Sequence, residues 1–264
     1  MSRYAAMFDH LRATGEGALG AFLMLGDPDL ETSAKLLDAV VAGGADMIEV
    51  GIPFSDPVAD GPVIQAAAKR ALDAGVRVAD CFDLIAGFRA RHPDIPVGIL
   101  TYANLVMARG REAFFARAAA AGIDSILVAD VPAREAEPWA VEMRVAGIAP
   151  VLIAAANTPS ATLAEIARLS EAFTYCVTRA GITGGHADAR FDPALLRALA
   201  EAGAPPPVFG FGISTPEHVT AALAAGAAGV ISGSAIVALA AQGGDVAAFV
   251  ATLKAATRND SARH

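Results

Sequence analysis

The chain has 264 residues, is 55% hydrophobic and 18% charged, and carries a net charge of −8. That length suits one large domain or two small ones, with ample apolar material for a core. The negative balance excludes nucleic-acid binding by bulk electrostatics, but a small anionic substrate needs only a few backbone N–H groups.

In chain order, residues 1–16 read as a helix preceding the first strand. This N-terminus mixes acidic and basic residues and has no apolar core of a signal peptide, so a cytoplasmic location is expected. Short branched runs then alternate with longer helical patterns. Strands are expected at 19–25, 46–51, 97–102, 125–129, 150–154, 173–178, 208–212 and 229–232. Between them lie helix signals. One helix opens at Asp29 and stops at Gly43-Gly44; another starts at Pro62, with proline at the first turn. Further helices cover 111–121, 133–146 and 160–169, and others start at Asp192-Pro193 and Thr215-Pro216. A short helical piece follows Ser234, and Val246, Phe249, Val250 and Leu253 mark a last amphipathic helix.

Eight strands, each followed by helix, in about 250 residues match a single α/β domain, a (β/α)₈ barrel with an N-terminal extra helix. An open doubly wound sheet is the alternative, but Gly26-Asp27-Pro28 after the first strand is not its glycine fingerprint. Residues 219–244 carry no charge, yet Gly226, Gly229 and Gly233 cut them into pieces too short for a membrane span. No membrane association is expected. Cys81 and Cys176 stand in apolar surroundings without metal spacing, as buried free thiols of a reducing compartment do.

The chemistry concentrates after the second strand. Glu49 interrupts the apolar run Met47-Ile48-Glu49-Val50. A buried carboxylate costs several kcal/mol, about 2–7 for a polar group and more for a charge, unless paired or neutral. The loop that follows can return Asp60 towards Glu49, and two carboxyls in different surroundings suit proton transfer. Simpler readings compete: Asp60-Gly61 is a turn dipeptide, and a salt bridge would explain Glu49. Gly212 and Gly233 mark glycine-rich loops after the last two strands, the usual phosphate site of a barrel. The helix after Ser234 would add its N-terminus there. The alternative is that these glycines only make tight turns. Lys35, Lys69 and Lys254 all fall on helices, against Schiff-base chemistry, and no histidines share metal-ligand spacing, so no metal site is expected.

Several stretches resemble the α subunit of tryptophan synthase: Gly26-Asp27-Pro28, the run from Glu49 through Pro53-Phe54-Ser55-Asp56-Pro57 to Asp60-Gly61-Pro62, Tyr102 to Leu105, Leu127 to Pro132, Gly181 to Gly184, Gly210 to Ser214 and Gly229 to Ala235. They span nearly the whole chain in order. The resemblance implies a (β/α)₈ lyase that cleaves indole-3-glycerol phosphate to indole and glyceraldehyde 3-phosphate. It implies Glu49 as proton donor and acceptor, and Asp60 as the anion beside the indole nitrogen. Tyr175 would orient Asp60 or the ring. Phe22, Ile64, Leu100, Leu127 and Phe211 would wall the ring. Thr183, Gly184, Gly212, Gly233 and Ser234 would bind the rest of the substrate, phosphate included. The implied partner is a β subunit carrying pyridoxal phosphate in an αββα assembly, with no cofactor in this chain. Asp56, Asn104 and Pro132 would meet that partner, and residues 179–190 would form a lid. Ala180, Gly185-His186 and Ala156 depart from the usual pattern. A non-catalytic activator of a partner enzyme, or another phosphosugar barrel enzyme, are the competing functions.

Overall fold

The structure, a computed structural model, describes residues 1–177 and 191–258. Helix α1 (Arg3–Thr14) leads into β1 (Ala18–Met24), α2 (Leu30–Ala42) and β2 (Met47–Gly51). Two helices, α3 (Pro62–Asp73) and α4 (Val78–Arg91), precede β3 (Val97–Thr101). Then come α5 (Ala103–Met107), α6 (Arg111–Ala120), β4 (Ser125–Val128), α7 (Glu137–Val145), β5 (Ala149–Pro150) and β6 (Ile153–Ala155). The remainder is α8 (Ser160–Leu169), β7 (Thr174–Val177), α9 (Pro193–Glu201), β8 (Pro207–Gly210), α10 (Pro216–Ala224), β9 (Gly229–Ser232), α11 (Ser234–Ala241) and α12 (Val246–Ala255).

Every pairing is parallel, in the order β5-β4-β3-β2-β1-β9-β8-β7-β6. The two ends of that order, β5 and β6, are pieces of the single fifth strand expected at 150–154. Val151 and Leu152 separate them, their backbones bonding to Ile126 on one side and Tyr175 on the other. The sheet therefore curls into a (β/α)₈ barrel. The uncharged run 219–244 is the end of α10, then β9 and α11, and no helix among the described residues is long and apolar enough to cross a membrane.

Local chemistry sets the helix starts. Asp29, Asp192, Thr215 and Asp245 each accept a backbone N–H from the first turn of the helix they precede. Pro62, Pro193 and Pro216 occupy first-turn positions where no N–H is needed. Two expectations change. The helix expected over 133–146 is a 3₁₀ turn, Ala133–Glu135, followed by α7, because Pro138 can enter a helix only at its start. The helices α4 and α5, on either side of β3, were not anticipated.

Strand alternation creates two cores. Leu19, Ala21, Leu23, Ile48, Val50, Val97 and Ile99 pack outward against the helices. Phe22, Met24, Met47, Leu100, Leu127, Tyr175 and Ile231 fill the interior. Each fully buried side chain of this kind contributes about 1.5–3 kcal/mol. Helix α1 closes the end of the barrel where strands begin. The Tyr4 hydroxyl lies 2.9 Å from Ser125 Oγ, the first residue of β4, and Arg3 reaches Asp124 at 2.8 Å.

Candidate active site

Glu49 is the middle residue of β2, level with Phe22 of β1 and Gly98 of β3. Met47 and Phe22 belong to the interior cluster, so the alternation turns Glu49 inward as well. Asp60 lies at the end of the loop between β2 and α3. Both carboxyls are buried, at 5% and 6% exposure, and the charge of Asp60 acts on Glu49. One oxygen of Glu49, Oε2, has no hydrogen-bond partner.

The loop that delivers Asp60 is fixed from several sides. Tyr102, just past β3, accepts the Ala59 N–H at 3.3 Å and packs its ring 5.5 Å from that of Phe54. Its hydroxyl also stands close enough to Asp60 to lower that carboxyl. Gln65 donates to the Asp60 carbonyl at 2.7 Å. Gly61 and Pro62 then begin α3. Arg70 of the same helix clasps buried Asp27 through two bonds of 2.7 Å, tying α3 to the end of β1.

Burial pushes the Glu49 carboxyl up to about 8, with Asp60 adding to the rise and the Tyr175 hydroxyl opposing it. Burial raises Asp60 to about 6, opposed by its bond from Tyr102. Near neutral pH the pair therefore divides: Glu49 holds its proton and Asp60 is mostly an anion. The Tyr175 hydroxyl acts on Glu49 and the Tyr102 hydroxyl on Asp60. Tyr175, expected to orient Asp60 or the ring, stands under the charge of both carboxyls.

The apolar residues gather around the acids. Phe22, Ile64, Leu100, Leu127 and Tyr175 share one buried cluster, and Phe211 packs against it. The rings of Phe211 and Tyr175 are 5.8 Å apart and close to edge-on. Phe211 and Gly212 both take positive φ, 71° and 78°, as the chain turns out of β8. Ser232 at the end of β9 donates to the Ile213 carbonyl at 2.7 Å, which joins the two glycine loops. Gly233 precedes α11, whose first residue is Ser234. The first N–H groups of a helix have no acceptor within it, so this corner suits an anion.

Asp56, Asn104 and Pro132 are exposed, Asn104 in the short helix α5 and the other two on the loops after β2 and β4. Thr183 and Gly184, together with Arg179, Ala180, Gly185 and His186, lie outside the described residues. Two residues that matter, Tyr102 and Gly210, stand in the stretches that carry the resemblance but were given no role there. A Cβ at Gly210 would come within 1.9 Å of the Tyr175 hydroxyl, so only glycine lets Tyr175 stand where it does. A glycine inside a strand was the available signal.

A closed parallel barrel with paired inward carboxyls, an apolar slot and an anion corner at its strand ends defines an acid–base enzyme of the (β/α)₈ class acting on a phosphorylated substrate. Its relatives narrow the class. The family model "Tryptophan synthase alpha chain" matches residues 8–262. The chain is 52% identical over 237 residues to the tryptophan synthase alpha chain of Shewanella oneidensis, covering 89% of this chain and 85% of that one. It is 48% identical over 267 residues to that of Klebsiella pneumoniae, covering 98% and 99%. A solved Aquifex aeolicus structure superimposes with a TM-score of 0.91 at 35% identity, covering 98% of this chain and all of that one. Mycobacterium tuberculosis tryptophan synthase gives 0.89 at 32%, covering 98% and 99%. The chain belongs to the tryptophan synthase alpha chain family, a lyase of tryptophan biosynthesis that cleaves indole-3-glycerol phosphate.

Proposed function

We propose that Glu49 and Asp60 divide this cleavage between them. Glu49 donates its proton to indole C3, and positive charge spreads to the ring nitrogen. Asp60 accepts the N–H hydrogen bond and stabilises that charge without reorganising. The bond between C3 and the glycerol chain then breaks, and its electron pair restores the aromatic ring. The neighbouring glycerol hydroxyl becomes the aldehyde and gives its proton to the Glu49 carboxylate. Indole and glyceraldehyde 3-phosphate leave, and Glu49 is again protonated. Tyr175 steadies Glu49 and Tyr102 steadies Asp60. Phe22, Ile64, Leu100, Leu127 and Phe211 hold the ring. Gly212, Gly233 and Ser234 hold the phosphate, with Thr183 and Gly184 contributing from the 179–190 loop.

The observation that carries this reading is a pair of buried carboxyls, Glu49 and Asp60, with no ion pair among the described residues and one Glu49 oxygen unbonded; burial raises both, Glu49 the further. Family membership supports a β-subunit partner. We infer that Asp56, Asn104 and Pro132 face it, that it carries pyridoxal phosphate, that the assembly is αββα, and that indole passes to it in the cytoplasm. This chain needs no cofactor of its own for the step. The test is Glu49→Gln in the reconstituted complex. Activation of the β partner survives and indole release from the glycerol phosphate disappears; if release persists, the assignment is wrong.

A further inference from the structure

A cavity of about 480 Å³ lies between β4 and helix α7, and none of Glu49, Asp60 and Phe22 lines it. That volume is within the roughly 300–1,000 Å³ range of small-molecule sites. Val128 and Val151 bound it on the sheet side, and Trp139, Ala140 and Met143 on the helix side. The seam of the barrel creates it. β4 pairs with β5 only through Ser125 and Ile126, and β6 pairs with β7 instead. Backbone groups along a strand alternate between its two neighbours. Ala129 gives its N–H to Thr101 of β3, and Ile126 accepts the Val151 N–H on the other side. Val128, two residues past Ile126, faces that other side too, and a continuous ladder would join its N–H to the Val151 carbonyl. No such bond forms, and among the described residues neither group has another partner. The Val128 carbonyl takes the Val131 N–H at 3.2 Å, and Leu152 bonds Ser170 and Tyr175. Val128 and Val151 are both buried, so this donor and this acceptor need a partner from outside the chain.

The surroundings define that partner. Trp139 is held as a wall, with the Arg111 guanidinium 5.0 Å over its ring and paired to Glu142. Ala140 and Met143 add apolar surface. The one charged lining residue, Asp130, is exposed and already accepts the Ala103 N–H at 2.8 Å, so the buried part offers nothing to a charge. The donor and the acceptor point across the seam towards each other's strand. A bridging group therefore needs an acceptor on one side and a donor on the other, the arrangement of a trans secondary amide. We propose that the cavity is a second ligand site of this chain, for a small neutral N-aryl amide. The ligand carbonyl accepts the Val128 N–H, its N–H donates to the Val151 carbonyl, and its ring packs against Trp139 and Met143.

Acetanilide is the probe, read by ¹⁵N–¹H spectra of the full chain. Trp139 is the only tryptophan in the sequence, so its indole N–H gives one resonance. Acetanilide shifts that resonance and the Val128 amide together and saturably, with a dissociation constant below about 5 mM, the scale for about ten heavy atoms. The shifts persist when the ring slot is filled with indole-3-propyl phosphate, which lacks the glycerol hydroxyls and is not cleaved. Phenyl acetate, which keeps the acceptor and lacks the donor, binds about three- to tenfold more weakly. Ala140→Leu and Ala136→Leu, at buried alanines of the cavity wall, weaken acetanilide by about tenfold or more. Either variant decides the matter if the other fails to fold, and the two ligands on the wild type decide it if neither folds. The proposal is overturned by the lack of a saturable shift, which would leave water to complete the seam, by equal affinity for phenyl acetate, or by displacement with the indole phosphate.

Discussion

Carboxylates near the two ends of this barrel are similarly sheltered and are treated in opposite ways. Asp46, at the entry to β2, accepts the Leu19 N–H at 2.8 Å and the Lys254 ammonium at 2.9 Å. Asp124, before β4, accepts Arg3, Arg89 and the Val97 N–H. Three residues after Asp46 on the same strand, Glu49 has no cation within ion-pair distance among the described residues, and neither has Asp60. Their partners are phenols, and one Glu49 oxygen has none. Burial alone therefore does not make a carboxyl reactive. Burial raises Asp46 as it raises Glu49, but at Asp46 the Leu19 N–H and the Lys254 ammonium oppose the rise, whereas at Glu49 only a neutral phenol does.

Substitutions can break or sharpen this contrast. The largest expected effect is Glu49→Gln, which removes proton transfer while keeping shape; kcat falls by about 10³–10⁴, read from indole release. Asp60→Asn keeps the hydrogen-bond geometry but loses the anion, costing about 10²–10³ in kcat. At the other end, Arg89→Met strips Asp124 of its most buried cation and frees the carbonyls of Gly122 and Ile95. That change destabilises the fold by about 3–5 kcal/mol in denaturant titrations, with kcat of the folded fraction unchanged. A rate loss matching that of Glu49→Gln would erase the distinction between the two ends.

The smaller effects concern pH. The proposed mechanism needs Asp60 ionised and Glu49 protonated, so it predicts a bell-shaped kcat/KM with limbs near about 6 and about 8. Tyr102→Phe removes the bond that lowers Asp60, so the acid limb moves upward by about one unit or less, while the alkaline limb stays. Stability follows the same sign. A carboxyl raised on folding contributes fully below its ordinary value of 4.5, and that contribution is lost as pH climbs through about 8. Glu49→Gln is accordingly more stable than the wild type above pH 8 and loses that advantage below pH 5, as melting curves across that range would show.

The barrel was legible because most strands announce themselves by branched residues and several crossovers by a capping Asp or Thr or a first-turn Pro. Glu49 was legible because an acid in an apolar strand has no cheap explanation. The break at Val151-Leu152 was not, since nothing in Pro150-Val151-Leu152-Ile153 marks where one neighbour is exchanged for another. Nor was the placing of the two phenols. Tyr102 and Tyr175 both end near the acids, and which hydroxyl meets which carboxyl depends on the path of the 52–61 loop and on the space left by Gly210. Pairing across a barrel is set by register, which local sequence does not encode.

The most direct measurement is an infrared titration of the carboxylic C=O stretch, comparing the wild type with Glu49→Gln. A protonated-carboxyl band that persists at pH 7, fades near pH 8 and is missing from the variant is the predicted result. A wild-type band already gone by pH 5 would contradict the account, because Glu49 would then be an anion with no proton to give.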